Sequence, residues 1–559
     1  MAEVNHPWFR NYPPGVPHDV DISAYGSLVD LFEESFSRHA ARDAYLYLGK
    51  SMSYAELDRQ SAEFSSYLQS LGLQRGARVA IMLPNMPQFP IAMVGALRAG
   101  MVVVNVNPLY TSRELEHQLR DSGAEALVIL ENVAHVYEKI MASTAVRHVV
   151  VTSIGEHIGV KGMLVDFVLR HVKKLVPAWR IPGSINFQAA LRRGRQNPAG
   201  IVHPARDDIA FLQYTGGTTG VSKGAVLLHR NILSNVMQVD AWLEPALTRH
   251  PIDQLVFLCA LPLYHIFALT ACGLVGLRKG GLNILVPNPK DLGALIKLIR
   301  QNPGIHLFPG VNTLFNALIH RPDFAEIRMP NLMVTIGGGM AVQQTVADKW
   351  QAMTGVPIAE GYGLSETSPV ACVNSPLIER YTGSAGLPVP GTEISIRGDD
   401  NVVMDPGEAG EICIRGPQVM AGYWQRPEDT ANVMTPDGFF KSGDIGTMDE
   451  GGYVRIVDRK KDMIVVSGFK VFPFEIEDLL SRLPGVLESA VVGVPDPDTG
   501  ESVKAYIVKN DPSLTAEQVM AYCKVQLTNY KRPKQVVFKT ELPKSNVGKI
   551  LRRELRDLH

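Results

Sequence analysis

Short runs of aliphatic residues alternate with amphipathic stretches along most of this chain, and this alternation limits the fold more than any other feature. The runs lie at Arg78–Leu83, Val102–Val106, Ala126–Leu130, His148–Val151 and Leu332–Ile336. Buried parallel strands read as nearly continuous apolar segments, and strands that alternate with helices form layered α/β domains. The sequence therefore predicts an α/β architecture.

The chain is too long for one hydrophobic core. It has 559 residues, of which 46% are hydrophobic, so we expect two or more domains. From about Glu393 onward, short strands and turns such as Asp405-Pro406-Gly407 predict a β-rich subdomain. After the charged cluster Asp458–Asp462 the chain continues with its own helix and strand patterns. We expect one domain over residues 1–458 and a second over residues 459–559.

Composition excludes several classes of protein. The formal net charge of -1 gives no global field that would attract nucleic acid. The five cysteines, Cys259, Cys272, Cys372, Cys413 and Cys523, show neither CxxC spacing nor an even number, which argues against a disulfide framework or a zinc site. The N-terminus lacks the basic and then apolar pattern of a signal peptide. These features predict a cytoplasmic protein; its oligomeric state stays open, with a homodimer as one option.

Two segments resemble membrane-contacting sequences. Val256–Leu277 contains no Asp, Glu, Lys or Arg, but Pro262 and the pair Tyr264-His265 divide it into a strand, a turn and the start of a helix, so we interpret it as buried core. Val160–Val176 is a candidate amphipathic helix. Its charged face holds Asp166, Arg170, Lys173 and Lys174, and its apolar face holds Leu164, Val168, Val172 and Leu175. The sequence does not decide between a helix packed on the core and peripheral membrane contact through residues 160–176.

A glycine-rich loop follows the predicted strand Ile209–Leu212. Glycine lets backbone N–H groups approach anionic oxygens, and hydroxyls and a lysine add donors, so the loop predicts a polyphosphate site and an ATP-using enzyme. It is not a Walker loop, because Lys223 is followed by Gly224. The predicted nucleotide-binding residues of this loop are Tyr214, Thr215, Gly216, Gly217, Thr218, Thr219, Gly220, Val221, Ser222, Lys223, Gly224 and Ala225.

Three further motifs carry groups that a nucleotide site uses. In the segment Glu360–Thr367, Tyr362 can stack on a purine, Ser365 can bind a phosphate oxygen, and Glu366 can hold Mg²⁺, with Gly361 and Gly363 around them. In Phe440–Asp444, the carboxylate of Asp444 can accept hydrogen bonds from ribose hydroxyls. Near the end of the chain, Lys549 lies on a loop after Gly548. The strand before Gly337, Gly338 and Gly339 ends in the kind of glycine cluster where α/β folds bind ligands.

Together, in this order, these motifs resemble the adenylate-forming superfamily of acyl-CoA synthetases, firefly luciferase and peptide-synthetase adenylation domains. The resemblance extends from the N-terminal region through Lys549, and the segments Val457–Ile464, Pro309–Asn316 and Asp437–Ile445 look especially like bacterial long-chain fatty acid CoA ligases. It implies a large N-terminal domain, built of two layered α/β subdomains and a β-rich subdomain, and a small mobile α+β C-terminal domain. No carrier domain follows, which disfavours a peptide-synthetase module.

The resemblance also implies roles for individual residues. Lys549 would be the catalytic cation, Glu366 and Thr215 would hold Mg²⁺, and Lys223 would order the loop or assist pyrophosphate. His265 matches the position beside the substrate carboxylate, where it would shape and gate the site. Arg459 would contact the adenylate together with Gly338 and Gly339. Lys461 aligns with the hinge residue, and the loop Ser467, Gly468, Phe469 and Lys470 would admit the pantetheine arm of CoA.

The implied chemistry has two steps. A carboxylate is a poor acyl donor, so ATP activates it as an acyl-adenylate with release of pyrophosphate, and CoA then takes the acyl group with release of AMP. No catalytic base is needed in the first step, because the attacking carboxylate carries no proton. A lysine beside the carbonyl would obstruct CoA, and rotation of the C-terminal domain would remove it.

The acyl group requires an apolar pocket, for which we name Pro309, Gly310, Val311, Leu314, Gly337 and Gly338. Gly337, Gly338 and Gly339 lack side chains and could admit a ligand there. The expected partners are a fatty acid, ATP and CoA, and the preference for long chains follows from the resemblance alone. Three alternatives stay open: a ligase for medium-chain or aryl acids, a membrane-associated nucleotide-binding or transport protein, and a nucleotide-binding regulatory protein without turnover.

Overall fold

The computed structural model describes residues 6–215, 222–249, 251–545 and 548–556. In chain order, its strands are β1 (Asp43–Tyr47), β2 (Lys50–Ser53), β3 (Arg78–Met82), β4 (Val102–Asn105), β5 (Ala126–Leu130), β6 (His148–Thr152), β7 (Ile185–Asn186), β8 (Ile209–Tyr214), β9 (Gly224–Leu228), β10 (Val256–Cys259), β11 (Leu282–Leu285), β12 (Leu307–Gly310), β13 (Val334–Gly337), β14 (Ile358–Gly363), β15 (Val370–Val373), β16 (Leu387–Pro388), β17 (Glu393–Arg397), β18 (Gly410–Arg415), β19 (Gly422–Tyr423), β20 (Phe440–Met448), β21 (Val454–Arg459), β22 (Ile464–Val466), β23 (Phe469–Val471), β24 (Val486–Asp496), β25 (Gly500–Lys509) and β26 (Gln535–Lys539).

The α-helices are α1 (Leu28–His39), α2 (Tyr54–Ser70), α3 (Gln88–Arg98), α4 (Ser112–Ser122), α5 (Ala134–Glu138), α6 (Val160–Phe167), α7 (Phe187–Gln196), α8 (His229–Leu247), α9 (Ile266–Ala268), α10 (Val275–Lys279), α11 (Leu292–Gln301), α12 (Asn312–Ile319), α13 (Pro322–Ala325), α14 (Gln344–Thr354), α15 (Pro427–Asn432), α16 (Pro473–Ser481), α17 (Ala516–Gln526) and α18 (Arg552–Arg556).

Two large sheets form the body of the molecule. One has eight strands in the order β19-β9-β8-β4-β3-β5-β6-β7, and the other has nine in the order β16-β15-β14-β13-β12-β10-β11-β1-β2. The inner strands of both sheets run parallel, as the pairs β3·β4 and β12·β13 illustrate. Antiparallel strands close both edges of the nine-stranded sheet and the β19 edge of the eight-stranded one, whereas β7 at its other edge is parallel to β6. The predicted layered α/β architecture is confirmed, because every predicted apolar run overlaps a strand.

Two smaller sheets follow along the chain. β17, β18, β20 and β21 form a four-stranded antiparallel sheet in the region after Glu393, where the sequence predicts a β-rich subdomain. The sheet β23-β22-β25-β24, with β26 parallel to β25, belongs to the last part of the chain and has its own apolar cluster around Ile464, Ile476 and Val491. The predicted domain boundary at residue 459 lies where β21 ends, before the chain enters this last sheet at Ile464.

Local sequence explains where the helices begin and end, as α4 illustrates. Thr111 accepts a hydrogen bond from the backbone N–H of Glu114, and the Glu114 carboxylate accepts one from the Thr111 N–H, so the two form a capping box. Gly123 ends the helix in the left-handed conformation with φ of 61°. The four buried positions Leu115, Gln118, Leu119 and Ser122 face the core.

The segment Val256–Leu277 is buried core, as its sequence predicts. It consists of β10, a turn through Pro262 and Tyr264, and the start of a helix at Ile266 that continues through a π-helical segment, Leu269–Leu274. Among the residues that the structure describes, no helix is both long and apolar enough to cross a membrane.

The segment 160–176 differs from the sequence prediction. It forms α6 and a π-helical turn over Val168–Val172, but Asp166, which we assigned to the outer charged face, is buried. Its carboxylate accepts hydrogen bonds from the Ser153 hydroxyl at 2.6 Å and the Gly155 N–H at 2.8 Å. Leu164, Val172 and Leu175 are all exposed, so this apolar side of the segment does not pack on the core.

Candidate active site

The carboxyl ends of neighbouring parallel strands bring the predicted glycines together. β13 ends at Gly337 beside Gly310 of β12, and the Gly338 N–H donates to the Gly310 carbonyl at 3.1 Å. A Cβ atom at Gly338 would lie 3.3 Å from the Gly361 carbonyl of β14, so the backbones of three strand ends are in close contact there. This edge of a parallel sheet is where α/β folds bind ligands.

At two of these glycines the expected room for an acyl chain is already filled. A Cβ atom at Gly310 would lie 2.6 Å from the Phe315 ring, and one at Gly337 would lie 2.6 Å from Val342. The missing side chain of Gly337 therefore does not leave room for a ligand in this conformation, and neither does that of Gly310. Of the other residues named for this pocket, Val311 and Leu314 are buried, as is the strand residue Pro309.

Phe315 belongs to an aromatic cluster. Its ring centroid lies 4.8 Å from Trp350 and 5.8 Å from Phe308, and Phe324 stacks on Trp350 at 5.7 Å. All four side chains are nearly or fully buried. The glycine at position 310 thus serves core packing, because a larger side chain would displace the Phe315 ring.

β14 and β20 place the predicted adenosine-binding groups in contact. The Tyr362 hydroxyl donates to Asp444 Oδ2 at 2.9 Å, and Arg459 Nε lies 3.4 Å from Asp444 Oδ1. Asp444 and Arg459 are directly opposite each other in the β20·β21 pair. Burial, and then the charge of Asp444, raise the pKa of Tyr362, so its hydroxyl stays protonated and orients the carboxylate.

Glu366 lies on a 3-10 turn, Ser365–Thr367, immediately after β14. It is buried, and its Oε1 atom accepts a hydrogen bond from the Tyr423 hydroxyl at 2.7 Å. Burial raises the pKa of Glu366, whereas the Tyr423 hydrogen bond lowers it. Tyr423 binds one carboxylate oxygen, and the carboxylate remains a candidate ligand for a cation.

The predicted phosphate loop is described only at its two ends. Gly216, Gly217, Thr218, Thr219, Gly220 and Val221 lie outside the described residues. At the ends, the Thr215 N–H donates to the Lys223 carbonyl at 3.0 Å, and the Ser222 hydroxyl donates to the Thr215 carbonyl at 2.6 Å. Gly224 and Ala225 begin β9, which pairs with β8. These contacts close the base of the loop as a β-hairpin.

Two residues of the loop have structural partners that the sequence did not reveal. The Tyr214 hydroxyl donates to Asp121 Oδ2 at 2.7 Å. Lys223 Nζ lies 2.7 Å from Asp429 Oδ1 and 5.4 Å from the centroid of the Tyr423 ring. Tyr423 therefore links the loop lysine to Glu366, although no spacing in the sequence connects them.

His265 precedes α9 and caps it, since its Nδ1 atom accepts a hydrogen bond from the Phe267 N–H at 3.3 Å. Burial lowers the pKa of His265 to about 3, and the positive charge of Lys549 acts in the same direction. The imidazole is therefore neutral at pH 7. A capped, neutral ring agrees with a shaping role better than with proton transfer.

Lys549 reaches this site from the far end of the chain. Its Cε atom lies 3.6 Å from the position that a Cβ atom would take at Gly339. The Thr313 hydroxyl donates to the carbonyl of Gly548 at 3.1 Å, and this hydrogen bond fixes the residue that precedes Lys549. Two more contacts join the last sheet region to the body: Asn316 Nδ2 to the Leu487 carbonyl at 3.1 Å, and Thr345 to Ser481 at 3.1 Å. The structure therefore has the C-terminal part closed on the site.

Charged groups of both signs act on Lys549. Burial lowers the pKa of Lys549 to about 8, and Arg459 acts in the same direction. The carboxylates of Asp444 and Glu366 oppose this effect. An anion bound beside Lys549 would stabilise the charged form of this partly buried side chain.

The predicted hinge and CoA-binding loop lie in the C-terminal part. Lys461 is exposed in a turn between β21 and β22, where the Asp462 N–H donates to the Arg459 carbonyl at 2.9 Å. Ser467 and Gly468 form the hairpin turn between β22 and β23 with φ of 50° and 82°. Phe469 stacks on Tyr530 at 4.6 Å, and this turn, with Lys470, is exposed while Lys549 lies in the site.

Glu360 is a buried carboxyl to which the sequence interpretation gave no role of its own. Its Oε2 atom lies 2.6 Å from the Tyr381 hydroxyl, which also lies 2.7 Å from the Val342 carbonyl. A tyrosine hydroxyl carries one proton, so both contacts are hydrogen bonds only when the carboxyl supplies the second proton. Burial raises the pKa of Glu360 to about 7. The residue before Gly361 therefore titrates near neutrality.

Comparison with known proteins agrees with this geometry. The model of the AMP-binding enzyme family matches residues 32–424, and that of the AMP-binding enzyme C-terminal domain matches residues 475–549. The chain is 52% identical over 552 residues to a long-chain-fatty-acid--CoA ligase of Escherichia coli O157:H7, covering 98% of each chain. It is 34% identical over 510 residues to a feruloyl-CoA synthase of an Amycolatopsis species, covering 91% of this chain and 94% of that protein.

A solved structure shares the fold. The anthranilate CoA ligase AuaEII, in complex with anthranoyl-AMP, superposes with a TM-score of 0.83 at 24% identity and covers 95% of this chain and 97% of its own.

Proposed function

This chain belongs to the AMP-binding enzyme family, and on that premise we propose that it is a long-chain fatty acid:CoA ligase that works in two steps. ATP and the fatty acid first form an acyl-adenylate and pyrophosphate. The thiol of CoA then takes the acyl group and releases AMP. A bacterial ligase of this name is 52% identical over nearly the whole chain, which supports the activity and the class of acid.

The observation that carries the proposal is the meeting of Lys549 with Glu366, Asp444 and Arg459 at glycine-lined strand ends. The first step joins two anions, a carboxylate and a triphosphate. A positioned cation offsets that repulsion and stabilises charge that develops in the transition state. The Lys549 side chain lies beside Gly339, which places it near the strand ends where the reactants would bind.

In the adenylation step, a carboxylate oxygen attacks the α-phosphorus, and the bond to the β-phosphate oxygen breaks so that pyrophosphate leaves. No proton moves, which is consistent with the neutral imidazole of His265. Lys549 neutralises charge between the two reactants. Tyr362 packs on the adenine, and Asp444, oriented by the Tyr362 hydroxyl, accepts hydrogen bonds from the ribose.

We include Mg²⁺ in the proposal, held by Glu366 and Thr215. The donor set fits, because Mg²⁺ binds proteins through one or two carboxylates and completes its shell with water and substrate phosphates. The cation would neutralise phosphate charge, and Glu366 and Thr215 would hold it. Tyr423 fixes the Glu366 carboxylate through its hydrogen bond.

Thioester formation requires Lys549 to leave, since it occupies the side from which CoA must approach. We propose that the last domain rotates about Lys461 and brings the Ser467-Gly468 turn to the site. Gly468, with φ of 82° and no side chain, lets the pantetheine arm pass close to the backbone. In the closed conformation that turn is exposed and therefore available to move.

The proposed partners are a fatty acid, ATP and CoA. We place the enzyme in the cytoplasm, where ATP and CoA are available, with peripheral contact at the inner face of the membrane. All five cysteines are buried and unpaired, as expected in a reducing compartment. A ligase for aryl acids remains the second candidate, because a feruloyl-CoA synthase is 34% identical to the chain.

The test is a series of saturated acids of increasing length, together with ferulate and benzoate, assayed with ATP and CoA. Pyrophosphate, AMP and thioester are measured in each reaction. We expect long chains to give the highest kcat/KM and equal amounts of AMP and thioester. Dominant turnover of aryl acids would refute the assignment to fatty acids, and the absence of AMP with every acid would refute the reaction itself.

A further inference from the structure

The segment 160–175 carries a cluster of exposed apolar side chains. Six of the 16 large apolar side chains that are exposed in the described part of the chain belong to it, and they are 54% to 85% exposed: Val160, Met163, Leu164, Phe167, Val172 and Leu175. Positions 160, 163, 164 and 167 lie on one face of α6, because residues three and four apart are neighbours on a helix. We call these six side chains the outer apolar face.

This face is held outward by contacts on the opposite side. Asp166 is anchored to Ser153 and Gly155. A Cβ atom at Gly162 would lie 1.7 Å from the Gly155 carbonyl, so α6 lies directly on that backbone. After α6, Arg170 binds Glu131 with its shortest contact at 2.7 Å. These polar anchors fix the rotation of the helix, and the apolar side chains cannot turn inward without breaking them.

The charge around the outer apolar face is positive. Lys161, Lys173, Lys174 and Arg180 are exposed between residues 157 and 186, and the single acidic residue of that stretch, Asp166, is buried. Arg170 is also exposed, but Glu131 pairs with its charge. An apolar surface flanked by exposed cations matches a bilayer that carries anionic headgroups, because acyl chains receive the apolar groups and headgroups the cations. A symmetric contact between two copies would instead bring like charges together.

We propose that the outer apolar face inserts into the headgroup region of an anionic lipid bilayer. Phe167 and Leu164 enter at the centre of the face, and Lys173 and Lys174 contact the lipid phosphates from its C-terminal end. This inference specifies the proposed peripheral location, and it does not depend on the ligase reaction. Binding is reversible and weakens with salt, since one short segment supplies both the apolar and the electrostatic contribution.

The experiment compares the full-length protein with Leu164→Ser/Phe167→Ser and with a matched control, Val402→Ser/Val403→Ser. The control removes two apolar side chains of similar exposure that lie between β17 and β18. Each protein is sedimented with vesicles of pure phosphatidylcholine and with vesicles of phosphatidylcholine and phosphatidylglycerol in equal parts. No substrate is present, so the result stands apart from the proposed reaction. Adenylation and thermal unfolding are measured in parallel without vesicles.

We expect the wild-type protein and the control to bind the anionic vesicles, and the Leu164/Phe167 variant to bind at least about tenfold more weakly with unchanged adenylation. Lys173→Glu/Lys174→Glu should weaken binding at low salt. If the Leu164/Phe167 variant fails to fold, Met163→Ser provides the same comparison. Equal binding of all variants, or no wild-type binding, overturns the proposal. So does a wild-type dimer that only the Leu164/Phe167 variant dissociates, because the face would then be an interface between copies.

Discussion

Lys549 should determine the alkaline limit of adenylation. With a pKa of about 8 in the closed conformation, it is about nine-tenths protonated at pH 7 and about one-tenth protonated at pH 9. The reaction needs the cation, so adenylation should fall about tenfold between these pH values and tenfold for each further unit. Thioester formation from supplied acyl-AMP should not follow this curve, since Lys549 is then outside the site.

The expected loss of adenylation activity on removal of the Lys549 side chain follows from the same geometry. Loss of one positioned donor in a water-excluded site typically costs about 3–4 kcal/mol of transition-state stabilisation, so Lys549→Met should lower kcat/KM for adenylation by about 10²–10³. The fold should not suffer, because the lowered pKa means that the charged lysine destabilises the closed conformation. That cost is at most about 3 kcal/mol and is reduced by the solvent that reaches the side chain.

The assay is pyrophosphate release with a long-chain acid and ATP, in the absence of CoA, from pH 6 to about 10. Lys549→Arg should retain part of the rate and lose the alkaline fall, because guanidinium stays charged. Lys544→Met is the matched control: this lysine of the same segment binds Glu488 at 2.6 Å and should be dispensable. The reasoning would be refuted if the rate of pyrophosphate release in Lys549→Arg still decreased at high pH. It would also be refuted if Lys549→Met slowed both half-reactions equally.

Two further predictions concern the hinge and the buried carboxyl. Lys461→Pro fixes φ in the turn between the last two sheets and should slow thioester formation more than adenylation, with Lys461→Ala as the control; normal rates of both half-reactions would show that the hinge lies elsewhere. Glu360 has a pKa of about 7 in the folded state against a reference value of 4.5, so the folded state binds more protons between these values. The contribution of Glu360 to the free energy of unfolding is complete below pH 4.5 and is lost as the pH rises through 7. The loss amounts to up to about 3 kcal/mol. In urea unfolding at pH 5 and 7.5, Glu360→Gln should reduce the difference in the free energy of unfolding between the two pH values. An unchanged difference would show that other groups cause the decline.

Much of the fold could be predicted because its signals are local. β5 was predicted to the residue, since Ala126–Leu130 is a continuous apolar run and all five side chains are buried. The turn signals after Glu393 likewise predicted a β-rich subdomain, and the structure has a four-stranded sheet there. The helix at residues 160–167 was found, but its orientation was not. Periodicity shows that one face is apolar, whereas the contacts of Asp166 with Ser153 and Gly155 decide which face points inward.

The same division holds for the candidate site. The glycine-rich loop, the Tyr362–Glu366 motif, Asp444 and Lys549 could each be recognised from residue type and order, together with the resemblance to a known family. Tyr423 and Tyr381 carried no recognisable signal. Tyr423 acts through a hydrogen bond to Glu366, and Tyr381 acts through its contacts with Glu360 and Val342. No spacing in the sequence encodes such contacts.

The sequence by itself determined the α/β class, the family, and the order in which the chemical groups occur along the chain. These depend on side-chain periodicity, glycine placement and residue identity, all of which are local. Only the tertiary structure decided that Phe315 and Val342 fill the space at Gly310 and Gly337, that α6 turns its apolar face outward, and that Lys549 lies beside Gly339. The physical reason is that these features depend on packing between distant segments, where a rotation of one helix or one domain changes every contact without changing the sequence pattern.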